Sequence, residues 1–321
     1  MTGGAPVHGL GHVHQALFYE SDDEFLSAVV PFVEDGLKAA EPTLVALNAR
    51  VAELLRDAVG HSDLVFLGVR TRRHDPASTI RNDREMLAAH LASGARHVRL
   101  VGETPYPGHG SPWDWWARYE AAINHVYAEF PVWNVCPYDT RTAPAPVLED
   151  VMRTHPWLVA EDGAQVTNPH YEDPRRFLLG RPPAPPDPVE ATSAPLFELV
   201  DPTPREARGA ARACGELLAA DAVDVDDVVM CINEVVTNAL VHGRAPVRLR
   251  LWCAADRIVA TVADRGAGPP DPFVGLLPAA SRQSAGLGLW MAHQLCSHIT
   301  FDRAGDAFTI RLVFDARNGR R

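Results

Sequence analysis

The chain has 321 residues, 46% of them hydrophobic and 22% charged, enough for large cores and, at roughly 150 residues per domain, about two domains. Its formal net charge of -11, with no Lys/Arg cluster, disfavours a nucleic-acid-binding surface as the working face. Five cysteines without C-x-x-C spacing, no basic-then-apolar leader and no run of about eighteen apolar residues point to a cytoplasmic protein that neither is secreted nor spans a membrane.

In chain order, apolar runs alternate with helical patterns. Strands are expected around Leu17-Phe18-Tyr19, at Thr43–Leu47, Leu64–Leu67, His97–Val101 and Val132–Val135; helices are expected over Glu24–Leu37, Val51–Val59, Thr79–Leu91 and Trp115–Phe130. That alternation implies an α/β domain with a mainly parallel sheet. His14-Gln15-Ala16-Leu17-Phe18-Tyr19, Phe25, a helix end at Gly36, Cys136-Pro137-Tyr138-Asp139 and His155-Pro156 resemble the MEDS sensory domain over residues 10–180. The resemblance implies a RecA-like fold, and no G-x-x-x-x-G-K-[ST] follows the first strand, so a second nucleotide site is not expected.

Ligands of such sheets lie beyond the carboxyl ends of the strands. Tyr19-Glu20, Gly102-Glu103 and Tyr138-Asp139 are therefore rim candidates for an unknown small molecule. Trp113, Trp115 and Trp116 are better explained by packing than by a pocket, and Cys136 by a buried thiol than by redox chemistry. His8, His12 and His14 come without a matching carboxylate or thiol set, so a disordered N-terminus is expected there rather than a metal.

The stretch LGRPPAPPDPVEATSAP spans residues 179–195, and its proline density predicts a semi-rigid linker without a helix over residues 181–196. Residues 197–316 form the second predicted domain. Thr203, Pro204 and Glu206 make a capping box opening a helix to about Ala219. A second helix runs from about Val225 to His242 and closes at Gly243. Strands Val247–Cys253 and Ile258–Ala263, a helix Gly286–Ser297 and strands Ile299–Asp302 and Phe308–Phe314 complete an α+β sandwich with helices on one face.

On the second helix Val228, Val229, Ile232, Val235, Val236, Ala239 and Leu240 form an apolar stripe. Glu234, Asn238 and His242 follow at four-residue steps on another face. A carboxamide oxygen suits Mg²⁺, and a carboxylate one turn away can deprotonate a nucleophile. Asp264-Arg265-Gly266-Ala267-Gly268 comes off a strand, where glycines let backbone approach a flat ligand and Asp264 can accept from an adenine amine. Gly286-Leu287-Gly288-Leu289 opens a helix, where free N–H groups favour phosphate.

Together NEVVTNALVHG, DRGAG and GLGLW resemble the nucleotide-binding boxes of the GHKL (Bergerat-fold) superfamily, with the first closest to anti-sigma serine/threonine kinases. The resemblance implies ATP and Mg²⁺ as cofactors, Glu234 as catalytic base and Asn238 as the Mg²⁺ ligand. It further implies nucleotide contacts from Asn238, His242, Asp264, Gly266, Gly268, Gly286, Leu287 and Gly288, with residues 269–285 as a lid in which Arg282 either reaches a phosphate or is simply solvated. Partners implied are a STAS-type anti-anti-sigma protein, a sigma factor or both, and the assembly implied is a homodimer. The threonine that many relatives carry after the glycine before the last strand is missing, since Gly305 is followed by Asp306 and Ala307. The reading is a cytosolic regulator in which a sensory domain controls a serine/threonine kinase. Its alternatives are a nucleotide-gated module that sequesters a partner without phosphotransfer, and a histidine-kinase-like sensor, for which no phosphoacceptor helix pair precedes the ATPase domain.

Overall fold

The computed structural model describes residues 11–60, 64–67, 76–105, 113–218, 223–277 and 287–316. The chain divides into two compact units, residues 1–179 and 180–321.

The first unit runs β1 (Val13–Tyr19), α1 (Asp22–Lys38), β2 (Thr43–Ala46), α2 (Ala49–Val59), β3 (Val65–Phe66), α3 (Pro76–Ala92), β4 (Val98–Gly102), α4 (Trp113–Val126), β5 (Val132–Asp139), α5 (Ala145–Thr154), β6 (Trp157–Val159), β7 (Gln165–Thr167) and α6 (Pro174–Gly180). Its sheet has the order β3-β2-β4-β5-β1-β6-β7, parallel except for the β6–β7 pair. The expected parallel α/β architecture is present. The helix starts are set locally: Ser21 accepts from the Glu24 amide ahead of three acidic residues, and Asn48 accepts from that of Val51, which satisfies amide groups left free by the first turn.

Strand alternation sorts the sheet's side chains. Leu17, Tyr19, Val45, Val101 and Val135 join the core containing Phe25, Val29, Val33, Val51 and Leu55 of α1 and α2. His14, Ala16, Cys136 and Tyr138 occupy the alternate positions and face the other side. The β1–β5 register pairs Ala16 with Cys136 and Phe18 with Tyr138. Gly36 does not end α1, which continues to Lys38; a Cβ there would come within 2.4 Å of Thr43 Oγ1, so the glycine permits close packing of helix on strand.

The second unit runs α7 (Pro188–Thr192), β8 (Phe197–Val200), α8 (Pro204–Gly215), α9 (Val225–His242), β9 (Arg248–Ala254), β10 (Arg257–Asp264), α10 (Leu287–Leu295), β11 (His298–Ala304) and β12 (Ala307–Asp315). The sheet is antiparallel, in the order β11-β12-β10-β9-β8. Helices α8, α9 and α10 cover one face through Ala207, Cys214, Ile232, Val236 and Ala292 against Leu249, Leu251, Ile258, Ala260 and Leu312. The predicted capping box forms, with the Thr203 side chain and Glu206 reciprocally bonded.

The proline-rich stretch departs from expectation. It contains α7, because Pro188 stands at the first helical position, where no N–H is required, and Asp187 and Glu190 close a capping box. This segment straps the second face of the sheet. Glu190 pairs with Arg311 at 2.5 Å and Asp187 with Arg257 at 3.1 Å. The Ala184 amide donates to Asp302, and Trp252 Nε1 donates to the Ser193 carbonyl. Residues 181–196 thus pack as part of the second unit.

Candidate nucleotide site and a buried cluster

Helix α9 owes its position to its apolar stripe: Val228, Val229, Ile232, Val235, Val236 and Ala239 are buried, whereas Leu240 is 39% exposed and lies outside the core. Glu234 and Asn238 stand half-buried one turn apart, and His242 is exposed at the helix end. The polar atoms on this face are largely unengaged. Among the described residues, the sole hydrogen bond to the Glu234 side chain is a long one from Asn233, at 3.4 Å, and the Asn238 carboxamide forms none. A carboxylate and an amide oxygen left available side by side fit a hard cation carrying phosphate oxygens.

Asp264 ends β10 and is 7% exposed. Its Oδ1 accepts from the backbone amides of Arg244, at 3.1 Å, and Gly266, which leaves Oδ2 as the oxygen able to receive an amino group from a ligand. The glycines around it are required by contact. A Cβ on Gly266 would lie 2.6 Å from Asp264 Oδ1, and one on Gly243 2.4 Å from the Ala239 carbonyl and 2.6 Å from Asp264 Cγ. Gly243 caps α9 as expected, its N–H donating to the Ala239 carbonyl, but it is extended rather than left-handed, and what requires a glycine there is close approach. Gly268 does have a positive φ, +68°, and its Cβ would strike the Phe308 ring at 2.5 Å. Arg303 donates to the Ala267 carbonyl and ties the loop to β11. The Gly305-Asp306 pair is the turn between β11 and β12, with Gly305 at φ +62°.

Gly288 lies in the first turn of α10, directly against Glu234. A Cβ there would stand 2.4 Å from Glu234 Oε2. Leu287 is 46% exposed beside it. The structure therefore brings Glu234, Asn238 and Gly288 together at facing helices, with Asp264, Gly266 and Gly268 at the end of the adjoining strand. Gly286, Arg282 and residues 278–285 of the expected lid lie outside the described residues.

In the first unit two of the rim carboxylates, Asp139 and Glu103, are engaged by neighbouring side chains. Asp139 takes a bidentate hydrogen bond from Arg141, which also reaches Asp22, and Glu103 accepts from both nitrogens of Asn48. Trp113 donates to Asp150 at 2.9 Å, and Trp116 is 1% exposed, in line with the packing role.

Sequence reasoning missed what lies beneath. His14 is not in a disordered terminus: it sits on β1, wholly buried, with Glu120 of α4, Cys136 of β5 and His155 at the end of α5. The expectation that the histidines lack a matching carboxylate and thiol fails because those partners come from more than a hundred residues away. The legible signal was a histidine and a cysteine inside apolar strands. Burial holds the His155 imidazole down at about 3 and, with the Glu120 charge, keeps the Tyr138 phenol well above its ordinary value.

Residues 13–156 match the family model described as MEDS, the methanogen/methylotroph DcmR sensory domain, and residues 200–314 match that of the histidine kinase-like ATPase domain. No curated protein matches the chain. Similar solved structures include the Acinetobacter baumannii histidine kinase AdeS, at 15% identity and a TM-score of 0.26 over 40% of this chain and 73% of that one. The catalytic domain of histidine kinase ThkA is similar at 11% identity and a TM-score of 0.27, over 37% of this chain and 98% of that one. The histidine kinase domain of the Erythrobacter litoralis EL346 blue-light activated kinase shares 24% identity at a TM-score of 0.23, over 33% and 58%. No described helix is long and apolar enough to cross a membrane.

Proposed function

We propose that this chain, a MEDS sensory domain joined to a histidine kinase-like ATPase domain, is an ATP-dependent protein serine/threonine kinase of the anti-sigma type. The observation that carries the catalytic assignment is the placement of Glu234: half-buried, bonded only weakly, one turn from Asn238 and against Gly288 in the first turn of α10. Asn238 would hold Mg²⁺, which supplies charge neutralisation to the phosphates, and Asp264 Oδ2 would receive the adenine amine.

Glu234 then takes the proton of a serine or threonine hydroxyl as its oxygen bonds to the γ-phosphorus. The bond from that phosphorus to the bridging oxygen breaks in line, and ADP leaves. Positioning by α9 and α10 supplies most of the catalysis. Hydroxyl transfer is favoured over histidine autophosphorylation because the segment ahead of β8 is a strap bonded across the sheet by Glu190, Asp187 and Ala184, not a pair of helices presenting a histidine. The partner would be a STAS-type antagonist, a sigma factor or both, with the chain acting as a homodimer.

The test captures partners from lysate on the purified chain with Mg-ATP and measures their intact masses, with Asp264→Asn as the nucleotide-blind control. A partner that gains one acid-stable phosphate with the wild type alone supports the kinase. ATP-dependent capture without mass gain makes the domain a nucleotide-gated binding module, and acid-labile phosphate on a histidine makes it a histidine kinase.

A further inference from the structure

We propose that His14, Glu120, Cys136 and His155 form a closed binding site for a divalent transition ion of the zinc type inside the first unit. One ligand atom from each lies within 4.8 Å of every other. His14 Nε2 is 3.1 Å from Glu120 Oε2 and 3.4 Å from Cys136 Sγ, and His155 Nε2 is 3.5 Å from the same Glu120 oxygen. A tetrahedral ion with bonds of about 2.0–2.3 Å requires ligand separations of roughly 3.3–3.8 Å, so small side-chain shifts would suffice.

The surrounding hydrogen bonds orient His155, His14 and Glu120 inward. His155 Nδ1 donates to the Val151 carbonyl at 2.9 Å, an acceptor only, so its Nε2 carries a lone pair; that atom has no hydrogen-bond partner. Asn124 directs its amide nitrogen at the carbonyls of Glu120 and Thr154, which turns its oxygen to His14 Nδ1 at 3.1 Å and leaves the His14 Nε2 lone pair facing the centre. Glu120 Oε1 accepts from Tyr138, at 2.8 Å, and Thr104, while Oε2 accepts no well-formed hydrogen bond. Partners on the far side of each ligand are what metal sites use to fix tautomer and direction.

Protonating His14 pairs it with Glu120 but still leaves the His155 lone pair and the Glu120 oxygen facing one another. A divalent cation accepts both. Its binding would release the Cys136 proton to solvent, and one carboxylate plus one thiolate then cancel its two charges, the condition under which charge is tolerated at this depth. Imidazole and thiolate donors select a zinc-like ion over magnesium or calcium. With four protein ligands and all four residues buried, the site has no open position for substrate; it would cross-link β1, α4, β5 and the end of α5.

The test uses the full untagged chain. After dialysis against chelator, then Zn²⁺, then metal-free buffer, elemental analysis should find one zinc per chain. Replacement by Co²⁺ should give tetrahedral d–d bands and a thiolate-to-cobalt charge-transfer band. Cys136→Ser should remove the charge-transfer band, and Cys253→Ser, outside the cluster, should keep it. A wild-type chain with no retained zinc and no thiolate–cobalt band overturns the proposal, as does a band that survives in Cys136→Ser. The wild-type arms decide the question even if the Cys136 variant fails to fold.

Discussion

The two units treat polar side chains in opposite ways. In the second, Glu234 and Asn238 stand half-exposed with almost no partners among the described residues, on a helix held in place by an apolar stripe of other residues. In the first, His14, Glu120, Cys136 and His155 are sealed inside and face one another. A site built for an external ligand leaves its polar atoms available at a surface that folds without them. An enclosed cluster makes the same atoms part of the core, where an unmatched one costs stability. Substitution should therefore separate function from stability in the second unit and fuse them in the first.

The largest expected effect tests the first half of that contrast. Glu234→Gln should lower phosphotransfer to a captured partner by roughly 10²–10⁴-fold, the usual contribution of a general base, with ATP affinity and thermal midpoint nearly unchanged. Radiolabel transfer, nucleotide titration and a melting curve on one preparation check it. A large fall in the melting midpoint would mean that Glu234 is structural and the contrast false.

The opposite outcome is expected for Glu120→Leu. Removing the carboxylate strands the Tyr138 and Thr104 hydroxyls and should destabilise the chain by about 1–3 kcal/mol for each, read from denaturant unfolding. Loss below about 1 kcal/mol would show that the cluster is not part of the core's stability.

The second unit has enclosed titratable groups of its own, and one of them sharpens the rule. His293 on α10 is 7% exposed, and burial holds its imidazole down at about 4. The unfolded chain binds a proton there near the ordinary value of about 6.5, so the folded state binds fewer protons in between. Its contribution is present above about 6.5 and is lost as pH falls toward 4, up to roughly 3 kcal/mol. Comparing unfolding free energies of wild type and His293→Asn from pH 7 to 4.5 isolates it: the wild-type curve should fall more steeply.

How far the sequence could be read follows the same division. Features set within a few residues were legible: the capping box at Thr203, the period-four face of α9, the strand-then-glycine run at Asp264. So was the parallel sheet, whose strands are short apolar runs between amphipathic helices. The buried cluster was not, because His14 and Glu120 share no local pattern and meet only once β1 has paired with β5 and α4 has packed on that face. Gly243 was legible only in part: it does cap α9, as its local position suggests, but a side chain there would also meet Asp264, twenty-one residues further on.

The smallest effect concerns the strap, where local chemistry and long-range packing give different forecasts. Proline density alone implies that residues 181–196 are a spacer, and a spacer tolerates substitution. The structure gives Asp187 two roles: its side chain caps α7 by accepting from the Val189 amide at 2.9 Å, and it pairs with Arg257 of β10 at 3.1 Å. Arg257 is partly solvated, so most of the loss in Asp187→Ala should come from the cap, about 1 kcal/mol. That loss should appear as a lower unfolding midpoint of the ATPase domain, with the first unit unaffected. Replacing Asp187 by Asn keeps the cap and removes the charge, and should recover most of it. If both variants unfold like the wild type, the segment is a spacer after all, and the second face of the sheet is stabilised without it.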